Sequence, residues 1–300
     1  MRVVSVLPSA TEIVCALGHG AELVGRSSEC DYPPEVQRLP AVMHPRTWDA
    51  ERSSREIDER VRSSRARGES LYELDVGRLA SLRPDLLITQ DLCGVCSVTE
   101  EEVASACARA GIRPNVLSLS PTNLEQVWSS VETVGAALGD RETGTSLARS
   151  LRERARAAPA KGATVAVVEW LDPPILAGLW TPDVVRAAGG TPLGPKPSEP
   201  GTRTTWAELS RSAPDLLVLS PCSFSVARSN RELEDTALRS RVLSLRPRLG
   251  TFVADEAYFS RPGPRLIAGV ELIRTLSTGT PPRGPMPVEA LSPMPPHVSA

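Results

Sequence analysis

Two cysteines separated by two residues, Cys93 and Cys96, carry the strongest chemical signal in the sequence. They follow a predicted buried strand at 85–89 and precede a predicted helix at 100–110. Such a pair can chelate a soft metal, form a redox disulfide or activate one thiolate near a helix N-terminus. Cys30 lies on another loop that is predicted to line a ligand crevice, so the three thiols are a candidate site for zinc or iron. An incidental pair is the alternative, and the lack of a histidine after Cys96 speaks against c-type haem attachment.

Two tryptophans are placed where they could stack on a flat ligand. Trp170 comes just after a predicted strand at 163–168, where an indole ring that faces a crevice can stack on a macrocycle. Trp180 is a second candidate of the same kind. For both residues, the alternative is a place in the hydrophobic core.

A polar, proline-rich segment at 255–265 connects a predicted strand to a predicted helix. Arg261 or Arg265 could bind a carboxylate or phosphate of a ligand. Equally, the segment could shape a turn, with Arg265 paired to an acid. Tyr258 and Phe259 could line the same crevice, with one of them in the core.

Histidines and sequence motifs give little support for catalysis. His44 could be an axial ligand to cobalt or iron, and a loop histidine without a function is the alternative. The sequence contains no GxxxxGK[ST], HExxH or GxSxG motif. General acid–base chemistry would therefore depend on carboxylates such as Glu169, and an enzyme is not the leading interpretation.

Composition excludes several classes of protein. The 300 residues include 34 Lys and Arg against 36 Asp and Glu, a formal net charge of −2, so no nucleic-acid partner is expected. The sequence has no apolar run of 18 residues, so the protein is not expected to be embedded in a membrane. Residues 1–8 resemble a short strand rather than a secretion signal, which predicts a cytoplasmic location and reduced thiols. A monomer is expected.

Short apolar runs alternate with helical stretches, which predicts an α/β fold. Residues 82–89 (LRPDLLIT) resemble residues 212–219 (SAPDLLVL), and similar elements surround both copies. We therefore predict two related Rossmann-like lobes with a central cleft. The predicted domains are an N-terminal lobe at 1–120, a long connecting helix at 121–159, a C-terminal lobe at 160–278 and a proline-rich disordered tail at 279–300.

Two features of this pattern predict helix ends. Ser9 and Glu12 have the spacing of a capping box, which predicts that Ser9 caps the first helix. Gly135 and Gly139 interrupt the connecting stretch, so it could also form two helices. Loops at the carboxyl ends of the parallel strands are expected to line the ligand site.

Several ordered segments resemble one known family. They are VVSVLPSATEIVCALG at 3–18, LVGRSSECDYPP at 23–34, LRPDLLITQDL at 82–92 and FSRPGPRLIAGVE at 259–271. With these segments, the chain resembles the helical-backbone, or class III, periplasmic substrate-binding proteins for vitamin B12 and iron-siderophores. The resemblance implies two lobes around a cleft, a rigid helix between them, and delivery of a ligand to an ABC permease.

The resemblance also implies a set of ligand-binding residues. Cobalamin-binding members hold the corrinoid between aromatic side chains and polar loop groups. By matching position, the contacts would be Ser9, Cys30, Asp31 and Tyr32 from the first lobe and Glu169, Trp170, Trp180 and Phe224 from the second.

The leading interpretation is a cytoplasmic binding protein, rather than an enzyme, for cobalamin, another corrinoid or a similar metal chelate. Cys30 or Cys93 could then bind the cobalt or iron of that ligand. One alternative is a metal- or thiol-dependent enzyme or redox protein that uses Cys30, Cys93 and Cys96. A further alternative is the substrate-binding component of an ABC importer.

Overall fold

The computed structural model describes residues 1–46, 52–90, 98, 100–156, 162–279 and 288–291. The chain divides into two compact units. The first unit contains Met1–Ala155 together with Arg261–Leu266, and the second contains the remaining residues. Each unit is built on its own β-sheet with helices, so the predicted α/β fold with two lobes is confirmed.

The described part of the first unit has a six-stranded sheet. Its strands are β1 (Val3–Ser5), β2 (Leu23–Ser27), β3 (Ala41–Pro45), β4 (Tyr72–Leu74), β5 (Leu86–Thr89) and β6 (Asn115–Ser118). Its helices are α1 (Pro8–Ala16), α2 (Ser54–Ala66), α3 (Val76–Leu82), α4 (Glu100–Ala110), α5 (Leu124–Ala137) and α6 (Arg141–Ala155). The strand order is β4-β3-β2-β1-β5-β6, and neighbouring strands are parallel except β3 and β4. Every residue of β1 and β5 is buried, as expected for central strands of a parallel sheet.

The connecting stretch, for which the sequence left one long helix or two open, forms two helices, α5 and α6. Gly139 adopts a φ of +83°, a conformation that suits glycine and ends α5. The Asp140 side chain then accepts a hydrogen bond from the backbone N–H of Thr143, at 3.2 Å, and starts α6. Both helices belong to the first unit.

The described part of the second unit has a seven-stranded sheet. Its strands are β7 (Thr164–Leu171), β8 (Pro174–Leu176), β9 (Thr191–Leu193), β10 (Thr202–Arg203), β11 (Leu216–Leu219), β12 (Thr251–Ala254) and β13 (Val288–Ala290). Its helices are α7 (Thr181–Ala187), α8 (Trp206–Ser212), α9 (Val226–Glu232), α10 (Thr236–Leu243) and α11 (Leu266–Leu276), the last of which begins at the final residue of the first unit. The order is β10-β8-β7-β11-β12-β13, and β9 also pairs with β7. The strands β9, β7, β11 and β12 run parallel, which directs the loops after β7 and β11 to one edge of the sheet.

The repeated sequence forms the same turn in both units. Arg83 and Ala213 follow α3 and α8 in the left-handed region, with φ of +42° and +46°. Asp85 then accepts the backbone N–H of Arg2, the residue before β1, at 2.7 Å, and Asp215 accepts that of Thr164, the first residue of β7, at 2.8 Å. The two copies of the Pro-Asp motif therefore attach a helix to the sheet in the same way.

The first helix starts differently from the prediction. Leu7 is the capping residue, Pro8 is the first helical residue, and Ser9 lies inside the helix without a capping hydrogen bond. The fixed φ of proline favours the first helical position. The capping-box prediction is therefore wrong, and the Glu12 carboxylate makes other contacts.

Part of the predicted disordered tail belongs to the second sheet. Val288–Ala290 pair antiparallel with β12, and the rest of the predicted tail beyond Gly279, except Leu291, lies outside the described residues. Among the helices that the structure describes, none is long and apolar enough to cross a membrane.

Candidate functional site

A buried carboxylate organises the carboxyl end of β1 in the first unit. Glu12 lies on α1, and its side chain is only 3% exposed. Its Oε2 accepts a hydrogen bond from Nε of Arg265 at 2.8 Å, and its Oε1 accepts one from Nη2 of Arg265 at 2.5 Å. Nη1 of Arg261 donates to the same Oε1 at 3.2 Å. Because an uncompensated buried charge is costly, these two guanidinium groups are what permit Glu12 to be buried.

Arg261 connects this buried acid to an exposed one. Its Nη1 and Nη2 donate to Oδ1 and Oδ2 of Asp31, the second at 3.2 Å. Burial alone would raise the pKa of Asp31, but the hydrogen bonds and positive charge of Arg261 outweigh it and lower that pKa below its ordinary value. The Asp31 side chain is 53% exposed. The structure therefore presents an ionised carboxylate to solvent at the carboxyl end of β2.

Tyr32 lies beside this carboxylate and is stacked on Arg265. The guanidinium carbon of Arg265 is 4.2 Å from the ring centroid, within cation–π distance. Tyr32 is 46% exposed, although it is a large apolar residue. We call Tyr32, Arg265 and Glu12 the Tyr32 platform. The Glu12 carboxylate fixes the Arg265 guanidinium, and this guanidinium supports the Tyr32 ring.

Cys30 is a buried thiol with partners of its own. It is 1% exposed, and its Sγ accepts a hydrogen bond from the Thr11 hydroxyl at 3.1 Å. Burial raises the pKa of Cys30 to about 12, so the thiol is protonated at neutral pH. Cys93 and Cys96 lie outside the described residues, and the three-thiol cluster stays a prediction. Within the described ranges, no group of three metal-ligating side chains occurs.

Ser9 lies beneath the segment that carries the two arginines. It is 2% exposed, and its hydroxyl makes no hydrogen bond with the described residues. A Cβ on Gly263 would be 3.4 Å from the Ser9 carbonyl oxygen, so the segment passes close over the start of α1. Ser9 therefore packs against this segment, and the predicted ligand contact of its hydroxyl stays a prediction.

In the second unit, Trp170 and Phe224 meet where β7 and β11 end their parallel pairing. β7 does not stop at Val168 as predicted, but continues to Leu171 because it forms a hairpin with β8. The register shifts between Val168 and Trp170, an irregularity of the kind that re-aims side chains. The ring centroids of Trp170 and Phe224 are 5.4 Å apart, with the planes tilted by 54°.

A cation also supports this aromatic pair. The guanidinium carbon of Arg228 is 4.3 Å from the Phe224 centroid, and its Nη1 donates to Oε2 of Glu232 at 3.1 Å. Phe224 is 4% exposed, whereas Trp170 is half-buried. We call Trp170, Phe224, Arg228 and Glu232 the Trp170 platform. Both units thus contain an aromatic ring at the carboxyl end of a parallel strand, supported by an arginine that a glutamate holds.

Glu169 packs against the chain before β10. A Cβ on Gly201 would be 2.0 Å from the Glu169 carboxylate oxygen Oε1, so the carboxylate lies against this glycine. The Glu169 carbonyl oxygen also accepts the backbone N–H of Cys222 at 3.0 Å. This residue therefore joins the loop after β11 to β7 through its backbone.

Trp180 and Tyr258 are both buried, and the predicted ligand contacts of these two residues stay predictions. Trp180 is 6% exposed, and its indole N–H donates to the Phe259 carbonyl oxygen at 2.6 Å. Tyr258 is 8% exposed and Phe259 is 2% exposed, so both are buried instead of only one. These residues fix the chain around Ser260 within the second unit, since a buried tryptophan requires an acceptor for its N–H.

His44 lies on β3, where it is paired in register with Glu73 of β4. It is exposed, and the role of axial ligand stays a prediction. Glu12, Arg228 and Glu232 were not among the site residues predicted from the sequence. The spacing of Arg228 and Glu232, i and i+4 on one helix, was a usable signal for the second pair. Glu12 was assigned to a capping box, which concealed its pairing with residues far along the chain.

The described units have the fold of the class III periplasmic binding proteins, as the resemblance predicted. A periplasmic heme-binding protein of Pseudomonas aeruginosa superposes with a TM-score of 0.70 and 20% identity, over 97% of this chain and 98% of that one. The vitamin B12-binding protein BtuF of Vibrio cholerae superposes with a TM-score of 0.64 and 19% identity, over 92% and 96% of the two chains.

Two curated proteins are similar in sequence. The vitamin B12-binding protein of Photorhabdus laumondii is 22% identical over 278 residues, which are 90% of this chain and 86% of that protein. The uncharacterized ABC transporter substrate-binding lipoprotein YvrC of Bacillus subtilis is 25% identical over 165 residues, 55% of this chain and 42% of the lipoprotein. The match to the second protein thus covers less than half of its length. No protein-family model matches the chain.

Proposed function

We propose that this protein is a substrate-binding protein that holds a flat metal chelate, with a corrinoid as the favoured ligand. The observation that carries the proposal is the pair of supported aromatic rings, one in each unit. Conjugated macrocycles have large apolar faces, and aromatic side chains bind such faces by stacking.

The support behind each ring matters for affinity. A mobile ring loses side-chain entropy when a ligand stacks on it, whereas a ring already fixed by its neighbours loses less. Arg265 lies on Tyr32 at 4.2 Å and is held by Glu12. Trp170 is held by Phe224, which is in turn covered by Arg228. Each platform is therefore preorganised before a ligand arrives.

The similar proteins support the same class of ligand. Two of those reported above are named for vitamin B12 and one for heme, which are both planar metal chelates. In this proposal the Cys30 thiol does not bind the metal, because it is buried, protonated and bonded to Thr11.

The proposal is tested by titrating reduced protein with hydroxocobalamin and with hemin, followed by absorbance and by tryptophan fluorescence. We expect saturable binding. The W170A and Y32A variants should each raise Kd about tenfold, which corresponds to about 1.4 kcal/mol of lost stacking. W170F and Y32F are the matched controls, because they keep an aromatic ring and should stay within about threefold of wild type.

Two outcomes would contradict the proposal. One is the absence of saturable binding of either chelate at about 50 µM, far above the Kd expected of a specific carrier. The other is wild-type affinity in W170A and Y32A, with both variants folded by urea denaturation. In that case a chelate would bind elsewhere on the molecule.

A role in ABC import is proposed on the basis of the similar lipoprotein, which is described as a component of such a transporter. Deletion of the gene should then reduce the accumulation of radiolabelled cyanocobalamin by the cells that express it. Fractionation of the same cells with an antibody tests the cytoplasmic location predicted from the N-terminal sequence. Unchanged uptake together with a cytoplasmic protein would replace import by intracellular handling of the ligand.

A further inference from the structure

The polar groups of the Tyr32 platform and its neighbours are arranged with the cations inward and a carboxylate outward. The side chains of Glu12, Arg261 and Arg265 are 3%, 11% and 23% exposed. The side chain of Asp31 is 53% exposed. A ligand that approaches this end of the sheet therefore meets a hydrogen-bond acceptor with negative charge, next to the ring of Tyr32.

The two cations are already occupied by acids of the same unit. Arg265 donates to both oxygens of Glu12, and its face covers Tyr32. Arg261 donates to Glu12 and, through both Nη atoms, to Asp31. Two guanidinium groups thus balance two carboxylates. A carboxylate on a ligand would have to displace Asp31 before it could pair with Arg261.

Planar metal chelates differ in the chemistry of their edges. Corrinoids such as cobalamin carry mostly amide side chains, whose N–H groups donate hydrogen bonds. Heme carries propionates, which accept hydrogen bonds and are negatively charged. An outward carboxylate such as that of Asp31 accepts hydrogen bonds from the amide side chains of a corrinoid and repels the propionates of heme.

We infer that Asp31 is a specificity-determining residue that makes this protein prefer chelates with amide edges over chelates with carboxylate edges. This inference rests on the proposed function and names the substrate class of the same site. Tyr32 supplies the stacking surface for the chelate ring, and Asp31 discriminates between amide and carboxylate groups at the edge of that ring. Specificity here comes from a repulsive element as much as from an attractive one.

The test compares two corrinoids that share a ring and differ at the edge. Dicyanocobinamide carries amides, and dicyanocobyrinic acid carries carboxylates at the same positions. Titration by absorbance should give a Kd for cobinamide at least about tenfold lower than that for cobyrinic acid. The D31N variant should reduce this ratio by at least about fivefold, mainly through tighter binding of cobyrinic acid.

Two control variants isolate the position of the charge. E69Q removes one negative charge from the exposed Arg67–Glu69 pair, so it changes the net charge as D31N does. It should leave the ratio near its wild-type value. D31E keeps a carboxylate and should preserve most of the preference, so a loss of preference in D31N alone is due to the loss of the carboxylate.

The outcomes separate this inference from the proposed function. Equal affinity for the two corrinoids in the wild-type protein would overturn the inference alone. An unchanged ratio in D31N, or an equal change in E69Q, would also overturn it, since the preference would then not arise at Asp31. Failure of both corrinoids and of hemin to bind would overturn the proposed function together with the inference.

Discussion

Nε and Nη2 of Arg265 donate to the two carboxylate oxygens of Glu12, at 2.8 and 2.5 Å, across 253 positions of the sequence. The planar guanidinium matches the carboxylate in a bidentate arrangement, which gives both strength and direction. Through this pair, a segment near the end of the chain becomes part of the first unit. The same pair also fixes the cation on which Tyr32 is stacked.

Replacing Glu12 by glutamine should destabilise the first unit. The E12Q variant leaves two largely buried guanidinium groups without a negative partner on α1, and breaking a buried pair in this way costs about 3 kcal/mol. Urea denaturation measures the loss as a lower midpoint at unchanged slope. E69Q, which removes an acid from the exposed pair with Arg67, should change the midpoint little. A midpoint in E12Q as high as in E69Q would contradict a structural role of the buried acid.

Enlarging Gly135 should separate α5 from α6. A Cβ at this position would lie 2.8 Å from the Cα of Gly144 and 2.9 Å from the carbonyl oxygen of Asp140, both of them backbone atoms that cannot rotate away. We expect G135A to destabilise the protein by about 2 kcal/mol, as overpacking does elsewhere. G77A is the matched control, since its Cβ would meet only the Asp75 side chain at 3.6 Å. Equal stability of the two variants would show that the helices can move apart without cost.

The stability of the first unit should depend on the protonation of His19. Its Nδ1 lies 2.7 Å from Glu22 Oε1, and its Nε2 lies 3.3 Å from Asp140 Oδ2. The hydrogen bond with Glu22 and that with Asp140 raise the pKa of His19 above 6.5, although burial opposes them. A raised folded pKa favours the protonated form in the folded state. Its stabilising contribution is therefore complete below about pH 6.5 and is lost as the pH rises through the folded value.

The measurement is the free energy of unfolding at about pH 6 and at about pH 8.5. The decrease between the two conditions should be smaller in H19Q than in the wild-type protein. H44Q, which removes the histidine on β3, should keep the wild-type decrease. If H19Q and the wild-type protein lose the same free energy, another group accounts for the pH dependence.

Cys30 should resist alkylation while the protein is folded. Its thiol is 1% exposed with a pKa of about 12, and both properties suppress the reactive thiolate. Iodoacetamide at about pH 8 should label Cys222, which is partly exposed, at least about a hundredfold faster than Cys30, as measured by peptide mapping. In urea the two rates should converge. Rapid labelling of Cys30 in the folded protein would restore it as a candidate metal ligand.

Local sequence patterns predicted the elements of the sheets better than the charged site. The helix at Glu100–Ala110 matches its predicted bounds, and the strand at Leu86–Thr89 begins within one residue of the prediction. The repeat around Asp85 and Asp215 predicted two related α/β units, and both copies of the repeat form the same turn. These features depend on neighbours within a few positions, which a sequence displays directly.

The charged site depends on partners that are far apart in the chain. The pairing of Glu12 with Arg265 has no local sequence pattern that would predict it. The spacing of Glu12 from Ser9 instead indicated a capping box, which does not form. Trp180 was predicted on a ligand surface because its type and loop position suited stacking. It is buried, and its N–H donates to the carbonyl oxygen of Phe259, 79 positions away in the sequence.

The order of synthesis gives the segment Arg261–Leu266 a further consequence. A ribosome that adds about 5 to 20 residues per second needs about 13 to 50 s to travel the 253 positions from Glu12 to Arg265. Until then, Glu12 of a nascent chain lacks both of the guanidinium groups that pair with it in the finished protein. We therefore expect a chain that ends before residue 261 to form a first unit that opens more readily and is cleaved faster by proteases than the finished protein.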